Sequence, residues 1–153
     1  MAVVHVVFVC SGNICRSPVA ESVFRTRLAE AGLADAVTVT SAGTGDWHVG
    51  EPMDRRAAAS LRDRGYETRH TARQVDDEQL GADLLVAATA DHVRDLVAAG
   101  ADPDRVVLLR AFDPEAPEGA EVPDPYYGGP DGFDEVIGMV EAAMPGLVER
   151  VRR

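Results

Sequence analysis

The chain has 153 residues with 46% hydrophobic and 27% charged residues, values typical of a globular protein with one core. Its net charge of −11 argues against non-specific binding to nucleic acid or to an anionic membrane, and no segment has the composition of a secretory leader or a membrane span. Two cysteines are too few for a disulfide framework or a paired Cys/His zinc site. We therefore expect one cytoplasmic domain over residues 1–153, without metal or cofactor.

The first predicted elements are a buried strand and a helix. Residues 3–9 are apolar apart from one histidine, which predicts a parallel strand buried on both faces. Ser17 followed by Pro18 predicts a helix N-cap and first helical position. Apolar residues then recur at helical spacing up to Gly32, which predicts the helix end.

Further along the chain, strands and helices continue to alternate. The later predicted strands are residues 37–40, which run into residues 41–43, then residues 84–87 and 106–109. The later predicted helices are residues 55–64 after the cap Asp54, 90–99 before Gly100, and 133–148 with a kink or break at Pro145. Residues 44–53 are predicted to form a loop, as are residues 113–132, which hold five of the nine prolines. The pattern predicts an α/β fold, with a four-stranded parallel sheet flanked by helices on both faces.

The segment between the first strand and the first helix carries a chemical signature. Cys10 and Arg16 are separated by five residues and end at a helix N-terminus, which attracts anions and favours a thiolate. Gly12 and Asn13 are able to adopt positive φ. A nucleotide-binding loop of the Walker type needs a lysine, and all fifteen basic residues here are arginines. A lone Cys10 would be interpreted as a small buried hydrophobe, but the combination predicts thiol-based phosphoryl transfer in a phosphate-binding loop after the first strand.

Several motifs together make the chain similar to low-molecular-weight protein tyrosine phosphatases over nearly all of its length. They are Val9–Pro18, Ala20–Glu21, Ser41–Thr44, Trp47–His48 and Asp124–Gly128. The Gly-x-Trp-His-Val-Gly run at residues 45–50 resembles actinobacterial members in particular. The resemblance implies hydrolysis of phosphotyrosine in proteins through a cysteinyl-phosphate, with tyrosine-phosphorylated proteins as partners; we expect a monomer.

The resemblance also implies residue roles. Cys10 would attack phosphorus, Arg16 would hold two phosphoryl oxygens, and Ser17 would donate a hydrogen bond to the thiolate. Backbone amides would bind the remaining oxygens, so that the phosphate-binding loop comprises Ser11, Gly12, Asn13, Ile14, Cys15, Arg16 and Ser17. Ser41 and His70 would support Asn13. Among the other histidines, His5 and His48 are expected to be structural or exposed, and no chemical role is assigned to His92.

The general acid cannot be chosen from spacing alone. Asp102, Asp113 and Asp124 all precede proline, and most Asp-Pro pairs begin turns. The resemblance selects Asp124, because it begins Asp-Pro-Tyr-Tyr-Gly. It also implies an aromatic substrate slot, which would be formed by Trp47, Tyr126 and Tyr127.

Three alternative functions can be weighed against phosphotyrosine hydrolysis. Arsenate reductases with this motif need further cysteines for a disulfide relay, and none follows Cys15. Protein arginine phosphatases tend to carry threonine where Ile14 stands, so Ile14 favours phosphotyrosine. A phosphopeptide-binding module without catalysis would lack either Cys10 or the acid. One departure from the family is Thr89, where many relatives carry aspartate.

Overall fold

The computed structural model describes residues 3–129 and 131–153 and contains a four-stranded parallel sheet in the order β2-β1-β3-β4. The strands are Val4–Cys10 (β1), Val37–Gly43 (β2), Leu84–Ala87 (β3) and Val106–Leu108 (β4). The α-helices are Arg16–Glu30 (α1), Arg55–Asp63 (α2), Asp77–Leu80 (α3), Ala90–Ala99 (α4) and Gly132–Arg152 (α5), and 3₁₀ turns cover Pro103–Arg105 and Leu109–Phe112. The predicted fold class is confirmed.

β1 lies in the middle of the sheet and is covered on both faces. Val6 and Phe8 pack into a large core that includes apolar residues of α1, α2 and α5. Val7 and Val9 point the other way and pack with Leu96 of α4. This double burial explains why the strand is apolar at successive positions, since neither face of it meets water.

The strand order reverses next to β1, and this reversal positions the loop that follows. The chain leaves β1 for β2 on one side and later returns to β3 on the other. Val9 is paired with Ala42 of β2 and Ala87 of β3, so the carboxyl ends of all three strands lie at one edge of the sheet. Ligands of open α/β sheets bind in the crevice at such a switch point, and residues 11–15 lie there.

The start of α1 differs from the prediction. The helix begins at Arg16 rather than Pro18, and Cys15 occupies the N-cap position without a side-chain cap bond. Pro18 is the third helical residue, where its missing N–H removes no intrahelical bond. The predicted N-cap role of Ser17 is wrong because its hydroxyl bonds to side chains of the loop instead.

Further differences occur later in the chain, where α5 also continues past its predicted end to Arg152. α3, a single turn with a capping box between Asp76 and Gln79, was not predicted from the sequence. β4 ends at Leu108, and Leu109 begins a 3₁₀ turn. No break occurs at Pro145, since apolar residues on both sides of it keep α5 packed on the core. Like every other helix of residues 3–129 and 131–153, α5 lacks the apolar length that crossing a membrane requires.

Candidate active site

Asn13 holds the phosphate-binding loop in its curled shape. It is fully buried and, among the described residues other than glycine, it alone has a positive φ, of 59°. Its side-chain NH₂ donates to the hydroxyls of Ser17 at 2.8 Å and Ser41 at 3.0 Å. Its side-chain oxygen accepts from the backbone N–H of Arg73 at 2.9 Å. Every strong hydrogen-bonding atom of the amide is therefore used, as a buried polar group requires.

A second layer supports Asn13 from β2 and from the segment before α3. His70 Nε2 lies 2.7 Å from the Asn13 carbonyl oxygen, and Ser41 donates to Glu21 Oε1 at 2.5 Å. Burial lowers the pKa of His70. A neutral His70 that donates from Nε2 satisfies the carbonyl. Ser41 thus contacts the side chain of Asn13, and His70 contacts the backbone carbonyl of Asn13.

Cys10 lies at the end of β1 beneath this loop. Its Sγ is 2.9 Å from Ser17 Oγ. Ser17 Oγ accepts a hydrogen bond from Asn13, and its single hydrogen has two acceptors within reach, the Cys10 sulfur and, farther away at 3.5 Å, the Ala42 carbonyl. When Cys10 is a thiolate it cannot donate, so the Ser17 hydroxyl is the donor to the sulfur. This arrangement stabilises negative charge on Sγ.

Arg16 brings a positive charge to the same place. It is only 7% exposed, and its Nη1 donates to the Val122 carbonyl at 3.0 Å. Nη2 lies 3.4 Å from Ser11 Oγ and 3.8 Å from Asp124 Oδ2. The guanidinium is thereby fixed between the loop and the segment that carries Asp124.

The three Asp-Pro pairs adopt the same local turn. In each, the aspartate side chain accepts from the backbone N–H two residues later, at 2.9 Å: Asp102 from Asp104, Asp113 from Glu115, and Asp124 from Tyr126. Of the three, Asp124 lines the cleft above Cys10. The local sequence determines the turn, and only the tertiary fold distinguishes the one at Asp124.

The cleft above the loop has a volume of about 370 Å³. Its lining comes from Cys10 and the loop below, and from two surrounding segments. The residues are Cys10, Ser11, Gly12, Ile14, Cys15, Arg16, Trp47, His48, Asp124, Tyr126 and Tyr127. Trp47 is 68% exposed and Tyr127 is 87% exposed. The rings of Tyr126 and Tyr127 meet edge to face, with centroids 4.9 Å apart. A charged floor with aromatic walls is suited to an aromatic phosphate ester.

Comparison with known proteins agrees with this geometry. The family of low molecular weight phosphotyrosine protein phosphatases matches residues 5–153. The chain belongs to this family.

Two actinobacterial relatives and one solved structure illustrate the membership. The low molecular weight protein-tyrosine phosphatase A of Mycobacterium tuberculosis is 55% identical over 144 residues, covering 94% of this chain and 88% of the relative. The low molecular weight protein-tyrosine-phosphatase of Streptomyces coelicolor is 51% identical over 153 residues, covering 97% and 93%. A protein tyrosine phosphatase from Entamoeba histolytica superposes with a TM-score of 0.92 at 32% identity, covering 97% of both chains. The predicted family and its actinobacterial character are confirmed.

Arg56 was not identified from the sequence, yet it contacts the segment that carries Asp124. Its guanidinium lies 5.3 Å from the Tyr126 ring centroid and 4.7 Å from that of Phe133, and it donates to the Tyr126 carbonyl. It also pairs with Asp54, the N-cap of α2. Burial raises the pKa of Asp54, but hydrogen bonds from Arg56 outweigh that effect and lower it. The segment that carries Asp124 is thus connected to α2 and α5.

The role predicted for Gly12 needs correction. Gly12 does not adopt a positive φ. A Cβ at this position would instead lie 2.8 Å from Cδ2 of His48, whose Nδ1 is 2.7 Å from Glu51 Oε2. The absence of a side chain at Gly12 therefore makes room for the imidazole, which packs over the loop. His48 is a lining residue of the cleft.

Cys10, at the end of β1, and Cys15, within the loop, differ in their surroundings. Burial, followed by the carboxylate of Asp54, raises the pKa of Cys15 to about 12. Cys15 therefore stays a thiol near neutral pH, whereas Cys10 has the hydroxyl of Ser17 at hydrogen-bond distance. Within residues 3–129 and 131–153, no three His, Cys, Asp or Glu side chains are grouped in a way that could hold a metal ion.

Proposed function

We propose that this chain hydrolyses phosphotyrosine in proteins through a cysteinyl-phosphate intermediate. The observation that carries the proposal is the convergence of Cys10, Arg16 and Asp124 on one cleft, with Arg16 Nη2 and Asp124 Oδ2 3.8 Å apart. A nucleophile, a fixed cation and a carboxyl group are what cleavage of a phosphate monoester through a thiol requires.

In the first step, the Cys10 thiolate attacks phosphorus while the bond to the tyrosine oxygen breaks. Arg16 and the loop amides hold the equatorial oxygens, whose charge they neutralise throughout the transfer. Asp124 gives its proton to the departing phenolate oxygen. The products are tyrosine and a phosphate bonded to Sγ.

In the second step, water attacks the phosphorus of the cysteinyl-phosphate. The Asp124 carboxylate, having lost its proton, accepts one from this water. The S–P bond breaks, inorganic phosphate leaves, and Cys10 returns as a thiolate. Ser17 assists both steps, since its hydroxyl stabilises the sulfur whenever it is negatively charged.

The walls of the cleft favour a phenyl ring over a guanidinium. Ile14 of the loop and the aromatic residues Trp47, Tyr126 and Tyr127 all line the cleft with carbon atoms. A phosphoarginine side chain placed there would lose hydrogen bonds from its remaining N–H groups to water, at a cost that a phenyl ring does not incur. This difference supports phosphotyrosine rather than phosphoarginine as the substrate.

We further propose that residues 1–153 act as one monomeric domain in the cytoplasm. α5, near the C-terminus, packs into the same core as β1 and α1, which supports a single folding unit. The charge of −11 supports protein substrates rather than nucleic acid or membrane surfaces.

The deciding experiment compares two peptides of the same sequence, one with phosphotyrosine and one with phosphoarginine, by release of inorganic phosphate. We expect the phosphotyrosine peptide to be cleaved with the higher kcat/KM. The variant Ile14→Thr should reduce the ratio of kcat/KM between the two peptides. Cys10→Ser serves as the control for contaminating phosphatases. Faster cleavage of the phosphoarginine peptide would make this chain an arginine phosphatase.

A further inference from the structure

Outside the residues assigned above, one buried histidine contacts the phosphate-binding loop. His92 lies in the first turn of α4 and is 4% exposed. Its Nε2 is 2.8 Å from Ser11 Oγ. α4 follows β3, the neighbour of β1, so the switch point of the sheet brings the start of α4 beside the loop.

The helix cap determines which nitrogen of His92 carries the hydrogen. The Thr89 backbone N–H donates to His92 Nδ1 at 3.2 Å. Thr89 Oγ1 accepts from the His92 backbone N–H at 3.3 Å and lies 3.1 Å from Nδ1, toward which its own hydroxyl hydrogen can point. A nitrogen that accepts a hydrogen bond bears no hydrogen, so this network assigns the hydrogen to Nε2. Burial, followed by the charge of Arg16, lowers the pKa of His92 to about 4, in keeping with a neutral ring. His92 therefore donates to Ser11.

Ser11 Oγ then receives two hydrogen bonds. His92 Nε2 donates at 2.8 Å and Arg16 Nη2 donates at 3.4 Å, which occupies both lone pairs of the hydroxyl oxygen. The hydroxyl hydrogen has to point away from both donors, and Ser11 lines the cleft. The hydroxyl hydrogen is therefore available to a ligand in the cleft that accepts hydrogen bonds.

We propose that Ser11 donates a side-chain hydrogen bond to the phosphoryl group, and that His92 is the positioning residue that orients it. This inference rests on the phosphatase function proposed above. It adds a donor to the loop amides and Arg16, and it gives Thr89 a function as the cap that fixes the tautomer of His92. It also couples Arg16 to α4 through a single hydroxyl.

The test measures inorganic phosphate affinity and kcat/KM for p-nitrophenyl phosphate in a double-mutant cycle. We expect Ser11→Ala and His92→Leu each to weaken phosphate binding and lower kcat/KM about tenfold, the scale of one hydrogen bond to a charged group. The double variant should lose no more than either single variant, because His92 acts through Ser11. Losses that multiply in the double variant would overturn the proposal.

Two conservative variants separate positioning from packing. His92→Gln keeps both the capping box and an N–H for Ser11, so it should retain most of the phosphate affinity. Ser11→Thr keeps the hydroxyl and should do the same. His5→Leu, at the opposite end of β1, is the control for general destabilisation and should leave phosphate affinity unchanged. Wild-type affinity in Ser11→Ala would refute the role of Ser11, even if His92→Leu failed to fold.

Phosphate affinity also separates this inference from the proposed function. Binding is measured without turnover, for example by calorimetry. A wild-type protein that binds phosphate but hydrolyses neither peptide nor p-nitrophenyl phosphate would refute the phosphatase proposal. The cycle on phosphate affinity would still decide the role of Ser11 and His92.

Discussion

The floor and the rim of the cleft are built in opposite ways. The floor, residues 10–17, includes a fully buried Asn13 and a 7% exposed Arg16, and its polar side chains bond to one another and to β2. The rim, formed by Trp47, Asp124, Tyr126 and Tyr127, presents side chains that reach 87% exposure. The difference teaches that phosphoryl transfer and protein recognition make different demands on one site.

The physical reason lies in what each region has to do. Dipoles that stabilise a transition state are effective only when they are already oriented, so the floor needs a closed hydrogen-bond network. A rim that meets a folded or extended phosphoprotein needs accessible aromatic surface, which contributes contact area at little entropic cost. Variants in the floor should therefore change kcat and stability, whereas variants of the aromatic rim residues should change KM. Asp124 is the rim residue that also takes part in the chemistry, so its variants should change kcat.

The largest effect is expected from Cys10→Ser in the floor. Turnover of p-nitrophenyl phosphate should become undetectable, because the serine hydroxyl has no adjacent base that could activate it. Vanadate binding should persist, since Arg16 and the loop amides remain. Hydrolysis near the wild-type rate would contradict covalent catalysis by Cys10. Addition of EDTA to the wild type should leave its rate unchanged.

Asp124→Asn, in the rim, should lower kcat by about 10²- to 10³-fold, the scale of general acid catalysis. The loss should be greatest for phosphotyrosine and smaller for p-nitrophenyl phosphate, whose leaving group needs little protonation. Asp113→Asn is the matched control, because Asp113 forms the same turn outside the cleft. A larger loss in Asp113→Asn would move the acid to that residue.

Asn13→Ala should affect both stability and rate. It leaves the backbone N–H of Arg73 without its partner, which costs about 1–3 kcal/mol in the free energy of unfolding. The kcat should fall about tenfold, equivalent to about 1.4 kcal/mol of barrier. Asn13→Gly removes the same hydrogen bonds but tolerates the positive φ. Urea unfolding of both variants therefore separates hydrogen bonding from backbone strain.

The smallest effect is expected from Tyr127→Ala. The KM for a phosphotyrosine peptide should rise a few-fold, while the free energy of unfolding stays within about 0.5 kcal/mol of wild type, as for other exposed positions. Peptide kinetics and urea unfolding check the two halves of this expectation. A drop in stability comparable to that of Asn13→Ala would remove the contrast between floor and rim.

The sheet and the limits of α2 and α4 could be predicted from the sequence because the relevant signals are local. The apolar run before Cys10 and the glycines at positions 32, 65 and 100 report burial and backbone conformation directly. Sequence analysis could not choose among the Asp-Pro pairs, since all three form the same turn. It also missed Arg56 and His92, whose partners are 70 and 81 residues away in the chain.

The contact between Gly12 and His48 has a consequence for sequence variation. A Cβ at position 12 would lie 2.8 Å from the imidazole, yet the backbone there needs no positive φ. The restriction on position 12 therefore comes from its neighbour and not from the main chain. A library that randomises both positions should be enriched in glycine at 12 among members with a ring at 48, and should admit alanine at 12 more often once 48 is small. Descendants of this sequence are expected to change the two positions together.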